Sequence, residues 1–316
     1  MKSLKSQITN PIAVCLIALL CCALWGSAFP VIKIGYGLFN IESNDYSSQI
    51  LFAGLRFALA GALTVIFGSI GAKKILTVKS SGYYKIVLLA LFQTILQYLF
   101  FYIGLARTTG TKGSIINSVS VFFSVIIASL ILKSEKLSFR KIIGCLIGFI
   151  GVAVINLSNG TFDTSVSFLG EGFIILSALS YAVSSVLIKS FSVRDNPVAL
   201  SGYQFAFGGL CMIAIGFFMG GRITLSGVKA ILVLLYLAML SAVAYTLWAV
   251  LLKYNDVSKV TVFGFMTPVF GCILSALLLK EDLTGGRGYT VISLFLVCIG
   301  IYLVNSVGNK SKKNSA

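Results

Sequence analysis

One arginine stands alone inside an apolar run. Arg56 lies about seven residues, or about 10 Å at 1.5 Å per residue, from the nearer end of the helix its surroundings would form. A charge at that depth is costly in hydrocarbon, and such residues normally face a protein interior or a water-filled cavity. No aspartate or glutamate is expected inside a span to neutralise it. Its partners are then backbone carbonyls, tyrosine hydroxyls, a lipid phosphate reached by snorkelling, or an anionic group on a small molecule. An anchor between helices and a ligand contact both remain open. The second role would use the planar guanidinium fork, which matches a carboxylate bidentately.

Other polar side chains share the apolar runs. Gln204 stands 148 residues after Arg56, neutral where Arg56 is charged, and Gln93, Gln97, Asn117, Ser184 and Ser185 are spread over three further runs. Each can hydrogen-bond between helices or contact a ligand. Trp25, Tyr181, Tyr245 and Trp248 lie nearer mid-run than the interfacial belts that aromatics usually form, so a cavity wall is as good a reading as a belt. Gly26 and Pro30, and later Gly264 and Pro268, could loosen their helices as hinges, since proline removes a helix hydrogen bond.

The elements of catalysis are sparse. There is no histidine, the seven cysteines lie inside apolar runs without a CxxC pair, and neither HExxH, GxSxG nor a Walker A sequence occurs. No catalytic residue, metal site or cofactor is expected, and the chain is not read as an enzyme. Coupling through a titrating side chain at the membrane midplane is disfavoured, which leaves exchange or downhill export.

These residues need a scaffold, and the composition states which. Apolar residues make up 58% of the 316, and charged residues 11%, against about 25% charged in a soluble domain. So few charges cannot cover a globule. A cytosolic enzyme, a disordered chain and a secreted disulfide scaffold are excluded. The net charge of +16 is divided into short clusters between apolar runs, so nucleic acid is not expected either.

Runs long enough to cross a bilayer, about 20 residues, begin near Ile12, Gln49, Tyr83, Gly113, Lys141, Phe168, Val198, Ala230, Val260 and Tyr289. The first is longer than a signal-peptide core and is read as a retained span. With a cytoplasmic N-terminus, 17 Lys and Arg fall on the cytoplasmic side and 7 on the other. That bias predicts both termini in the cytoplasm. It also puts the loops near Lys73–Lys79 and Lys189–Arg194 inside, and the loop near Asn159–Thr164 outside.

The runs repeat. Gly54, Gly61 and Gly68 in the second span return as Gly202, Gly209 and Gly216 in the seventh, each displaced by 148, and Phe57-Ala58 returns as Phe205-Ala206. Glu135-x-Leu137 after the fourth span is matched by Glu281-x-Leu283 after the ninth, and Asn156 by Asn305. The expected architecture is an all-α polytopic membrane protein of ten transmembrane helices in two five-helix repeats, residues 1–160 and 161–316. Five is odd, so the copies must be inverted. Secondary transporters are often built this way, although a static scaffold or channel could be too. Glycines every seventh residue, with Gly144, Gly148 and Gly151 in the fifth span, predict closely packed helix faces.

Trp25-Gly26-Ser27, Leu55-Arg56-Phe57 with Ala58 and Ala60, and the Glu-x-Leu ends resemble the EamA family of the drug/metabolite transporter superfamily. The resemblance spans nearly the whole chain. It implies ten helices, no soluble domain, and export or exchange of small metabolites, often amino acids, by alternating access. It also implies a proline in both halves; here the ninth span has Pro268, but the fourth has Phe122 at the matching position. The expected protein is a multi-pass exporter of the cell membrane whose partners are a small-molecule substrate and the lipid bilayer, with a homodimer left open. A flippase or exporter for a lipid-linked or phosphorylated sugar is the alternative, and an intramembrane enzyme a more distant one.

Overall fold

Asparagine followed by proline opens two of the helices. Asn10 accepts the Ile12 amide at 2.9 Å ahead of α1 (Pro11–Leu38), and Asn196 accepts the Val198 amide at 2.8 Å ahead of α7 (Pro197–Phe218). In both, proline sits where its missing N–H is no loss. Asp45 caps α2 (Tyr46–Ala72) through the Ser48 amide at 3.0 Å. Caps of this kind are worth about 1 kcal/mol each.

The computed structural model describes residues 6–78, 82–108, 110–132, 135–157, 167–225, 227–279 and 287–306. Between α2 and α7 run α3 (Tyr83–Leu105), α4 in two pieces (Gly110–Asn117 and Ser120–Ile131), α5 (Phe139–Leu157) and α6 (Phe168–Ser192). After α7 come α8 (Val228–Tyr254), α9 in three pieces (Val257–Thr261, Val262–Phe265 and Met266–Leu279) and α10 (Arg287–Ser306). Among the described residues there is no strand, and nine helices are long and apolar enough to cross a membrane. The tenth, α5, has 19 residues. Every helix starts within three residues of its predicted run. The chain is an all-helical, multi-span membrane protein. Leu130, Phe139 and Phe218 are among the large apolar side chains on its exposed faces, as a lipid-facing surface requires.

Glycine sets the closest contacts. A Cβ at Gly54 would lie 2.6 Å from the Ile213 backbone nitrogen, and one at Gly216 would lie 2.6 Å from that of Leu51. Gly61 abuts the Ala206 backbone, and Gly209 abuts that of Ala58. The α2–α7 seam is therefore backbone against backbone and reciprocal: each helix offers its glycines to the other's main chain. A second seam joins α5 to α10, where Cβ atoms at Gly144 and Gly151 would lie 2.8 Å from Gly300 O and 3.0 Å from Ser293 O. Elsewhere α1 lies against α8 and α9, and α6 lies correspondingly against α3 and α4. Lipid supplies no hydrophobic force between helices, so dispersion at such close approaches must hold them.

Two helices are interrupted at matching places. In α9 a 3-10 turn covers Val262–Phe265, just before Pro268, whose ring occupies the position of an N–H that would otherwise reach Gly264 O. In α4 the break falls at Ser118 and Val119: the Ser118 amide is shared between Ser114 O and Ile115 O, each at 3.2 Å, and the Val119 amide bonds three residues back to Ile116 O at 3.0 Å. Those positions are 146 residues before Gly264 and Phe265. A proline thus accounts for the interruption in α9, whereas α4 is interrupted with Phe122 in the proline's place.

The break in α9 lies beyond a charged clasp. Glu135, 3% exposed, accepts the amides of Val257 at 2.6 Å and Ser258 at 3.1 Å, with the Ser258 hydroxyl at 2.9 Å. An anion there complements the positive end of α9. Lys189 of α6 donates to Leu252 O at 3.1 Å and to Asn255 O, at the negative end of α8. The Asn255 side-chain Nδ2 donates back to Ile8 O at 3.2 Å. Glu281 and the Asn159–Thr164 loop lie outside the described residues, as does the side chain of Asn156.

Candidate functional site

Arg56 follows Gly54 by two positions, a turn of about 200° around an α-helix. With the glycine pressed against α7, the arginine points away from the seam. It is 4% exposed, and its guanidinium carbon sits 4.4 Å from the centroid of the Phe57 ring and 5.8 Å from that of Tyr98 on α3. Such contacts to aromatic faces hold a cation without neutralising it. Its Nε has no hydrogen-bond partner, and no carboxylate among the described residues pairs with it.

Tyrosines complete the surroundings. The Tyr98 and Tyr245 hydroxyls bond each other at 2.7 Å, and Tyr36 and Tyr102 interact through theirs. Tyr36, Tyr98, Tyr102 and Tyr245 pack in one cluster with Phe57 and Phe205. Tyr245 and Trp248, three apart on α8, share a face, and Trp25 of α1 meets both at ring-centroid distances of 5.0 and 4.9 Å. Phe205 of α7 stacks on Phe57 at 5.3 Å and meets Tyr245 at 4.8 Å. Side chains from α1, α2, α3, α7 and α8 thus converge in one aromatic cage.

Four polar atoms in and beside this cage are buried without a partner: Arg56 Nε, Trp25 Nε1, Trp248 Nε1 and Gln97 Oε1. A polar atom buried without a hydrogen bond costs about 1–3 kcal/mol. Arg56, Trp25 and Trp248 belong to the cage, and Gln97 precedes Tyr98 on α3. Three are donors, one of them on a cation, and one is an acceptor. No metal-binding group of His, Cys, Asp or Glu occurs among the described residues.

The other predicted residues stand differently. Gln204 is fully buried and satisfied at both ends: its Oε1 accepts from Thr94 at 2.8 Å, and its Nε2 donates to Gln93 Oε1 at 3.1 Å. Gln93 and Thr94 belong to a π-helical stretch of α3, Leu91–Leu96, so this network ties α3 to α7. Tyr181 on α6 lies near Cys21, Cys22 and Tyr98, while the Ser184 and Ser185 hydroxyls turn back onto its carbonyl at 2.8 and 3.0 Å. Asn117, half-buried, ends the first piece of α4 and makes no recorded hydrogen bond to the cage. Gly26 lets α1 approach α9, where a Cβ would come within 2.6 Å of Phe270 Cβ, and α1 runs unbroken through Pro30. Gly264 lies within the 3-10 turn of α9, four residues before Pro268.

Sequence reasoning passed over Tyr36, Tyr98 and Tyr102, which look like ordinary apolar residues in their runs. It also passed over Glu171. Inside a span no acid was expected, yet Glu171 is buried in the first turn of α6, where it accepts the Thr108 hydroxyl at 2.5 Å and the Ser167 amide at 2.8 Å. It sits at a helix N-terminus, which accounts for an anion there. The pattern Ser-x-x-x-Glu around that terminus was the available signal.

The profile of the EamA-like transporter family matches the chain twice, over residues 12–157 and 168–306. A protein of Archaeoglobus fulgidus named "Uncharacterized transporter" is 26% identical over 287 residues, covering 89% of this chain and 94% of that one. A protein of Escherichia coli K12 named "Probable amino-acid metabolite efflux pump" is 26% identical over 307 residues, covering 94% and 96%. One solved crystal structure shares the fold, with a TM-score of 0.77 at 18% identity over 94% of this chain and 99% of that chain. Family and relatives alike point to a transporter rather than an enzyme. Taken with the ten helices and the paired glycine seams, the two matches make this chain a member of the EamA-like transporter family.

Proposed function

We propose that the protein is a secondary transporter of the cell membrane that exports or exchanges a small metabolite, an amino acid or a related compound, by alternating access. The observation that carries this reading is the aromatic cage with its buried, unpaired Arg56 and three further unpartnered polar atoms. A scaffold without a ligand would gain by satisfying or removing them. The name of the Escherichia coli relative supports the amino-acid class.

Two inverted five-helix units, 1–160 and 161–316, would supply the motion. The reciprocal α2–α7 and α5–α10 seams and the matched interruptions in α4 and α9 support that division. Gly264 and Pro268 then act as a hinge. The part of α9 before them is clasped by Glu135, and the part after them lies against α1. One packing, adopted by either unit in turn, opens the cage to either side.

Extracts and medium from cells with and without overexpression should differ in one or a few small compounds, and purified protein in liposomes should move such a compound and release it unchanged. A covalently altered product would overturn transport in favour of an enzyme. The loop charges support a cytoplasmic location for both termini. In a cysteine-free variant, Cys introduced at Lys74 should react with an impermeant maleimide only from the cytoplasmic side, and at Arg222 only from outside. The reverse pattern would invert the orientation.

A further inference from the structure

We infer that the preferred substrate is a carboxylate anion whose nitrogen, if it has one, is not a free ammonium: a 2-hydroxy acid or an N-acylated amino acid rather than the zwitterion. This rests on the transporter reading and specifies its ligand. The argument is charge complementarity inside the cage. The unpartnered atoms are a guanidinium N–H, two indole N–H groups and one amide oxygen. Arg56, Trp25 and Trp248 put three donors around the cage, a set suited to a carboxylate, while the one acceptor, on Gln97, is neutral.

An ammonium group fits it poorly. It brings a full charge and three donors to a site with one unpartnered neutral acceptor and no pairing carboxylate among the described residues. The described carboxylates that make side-chain bonds are engaged elsewhere: Asp45 on the Ser48 amide, Glu135 on α9, Glu171 on Thr108 and Ser167, Asp195 on Lys85, and Asp256 on Lys259. The Tyr98 and Tyr245 hydroxyls bond each other, and the acceptor capacity they keep is neutral, so it offers no charge to offset an ammonium. Aromatic faces can hold an ammonium, but Arg56 already lies over Phe57 and Tyr98, and a second cation in the same cage would be repelled by it. A monoanion instead leaves cage and ligand together neutral, which favours passage through a closed, dehydrated intermediate.

The test uses four probes on one carbon skeleton: L-phenyllactate and N-acetyl-L-phenylalanine as anions, L-phenylalanine as the zwitterion, and L-phenylalaninamide as the cation. Each is titrated against purified protein in detergent, and thermal stabilisation gives an apparent Kd. Either or both anions should bind at least tenfold more tightly than L-phenylalanine, with the amide weakest. Arg56→Gln, checked for monodispersity, should bring the four affinities within about threefold of one another, and Arg56→Lys should restore part of the preference. Zwitterion binding equal to or tighter than that of both anions overturns the inference and leaves an amino-acid transporter standing. No stabilisation by any probe also overturns it, because the cage is then not a carboxylate site for this skeleton. The comparison of medium and cell extracts described above still decides the transporter reading separately.

Discussion

Arg56→Ala should remove transport while leaving a folded, correctly inserted protein. The guanidinium is held by aromatic faces, with an unpartnered Nε, so little protein structure hangs on it. Hydrogen bonds to charged groups are worth about 1.5–3 kcal/mol, which predicts a fall in substrate affinity of about 10- to 150-fold. Arg56→Lys should retain a fraction, since an ammonium keeps the charge and loses the fork. Gln204→Ala is the internal comparison, because it sits at the corresponding place in the second half and is engaged at both ends. It should strand the Thr94 hydroxyl and the Gln93 amide, and so lower thermal stability by about 1–3 kcal/mol with little change in affinity. Reduced abundance in both variants, with equal losses of transport, would show that Arg56 is a packing device.

Gly61→Val should abolish the folded protein altogether. A Cβ there would fall inside the contact distance of the Ala206 backbone nitrogen and near Gly202 O, and main-chain atoms cannot rotate away as a side-chain tip can. Ordinary overpacking costs about 1–3 kcal/mol because neighbours shift slightly. Here relief requires α2 and α7 to separate along the seam, so the expected loss exceeds that range. Gly71→Val, at the exposed end of the same helix with nothing within 4 Å, should be tolerated. Membrane-inserted abundance and detergent-solubilised melting temperature measure both. A normal melting temperature for Gly61→Val would remove the seam from the account of stability.

The glycine heptads explain why the architecture could be read from the chain. A residue type repeated at 54, 61 and 68 and again at 202, 209 and 216 marks a helix face and its partner without any knowledge of three-dimensional order. Of the four mid-span aromatics singled out in the sequence, Trp25, Tyr245 and Trp248 come into ring contact, whereas no ring contact joins Tyr181 to them. The rest of the site was not legible in the chain. Gln204 and Gln97 look alike in a sequence, and only the rotation of α3 relative to α7 makes one a bracing amide and leaves the other's oxygen unpaired. Tyr98 and Tyr102 merge with the aromatics around them because periodicity orders residues around one helix and never orders helices around an axis. The buried Glu171 escaped for a simpler reason: a single acid near the start of an apolar run reads as loop until its helix N-terminus is seen.

The α2–α7 seam also bears on how the chain is made. Gly54 emerges from the ribosome well before Ile213, the residue whose backbone it will abut. At synthesis rates of about 5–20 residues per second, α2 must wait roughly 8–32 s for its mate. Throughout that interval its glycine groove is open to lipid and Arg56 lacks the wall that α7 and α8 will provide. The unpaired helix is then a target for any membrane chaperone that reads small-residue grooves or intramembrane charge. It is equally open to the α2 of a neighbouring nascent chain, which carries the same groove. Crowded translation of this protein should therefore favour mispaired α2–α2 dimers, and the yield of assembled molecules would be decided while the second half is still inside the ribosome.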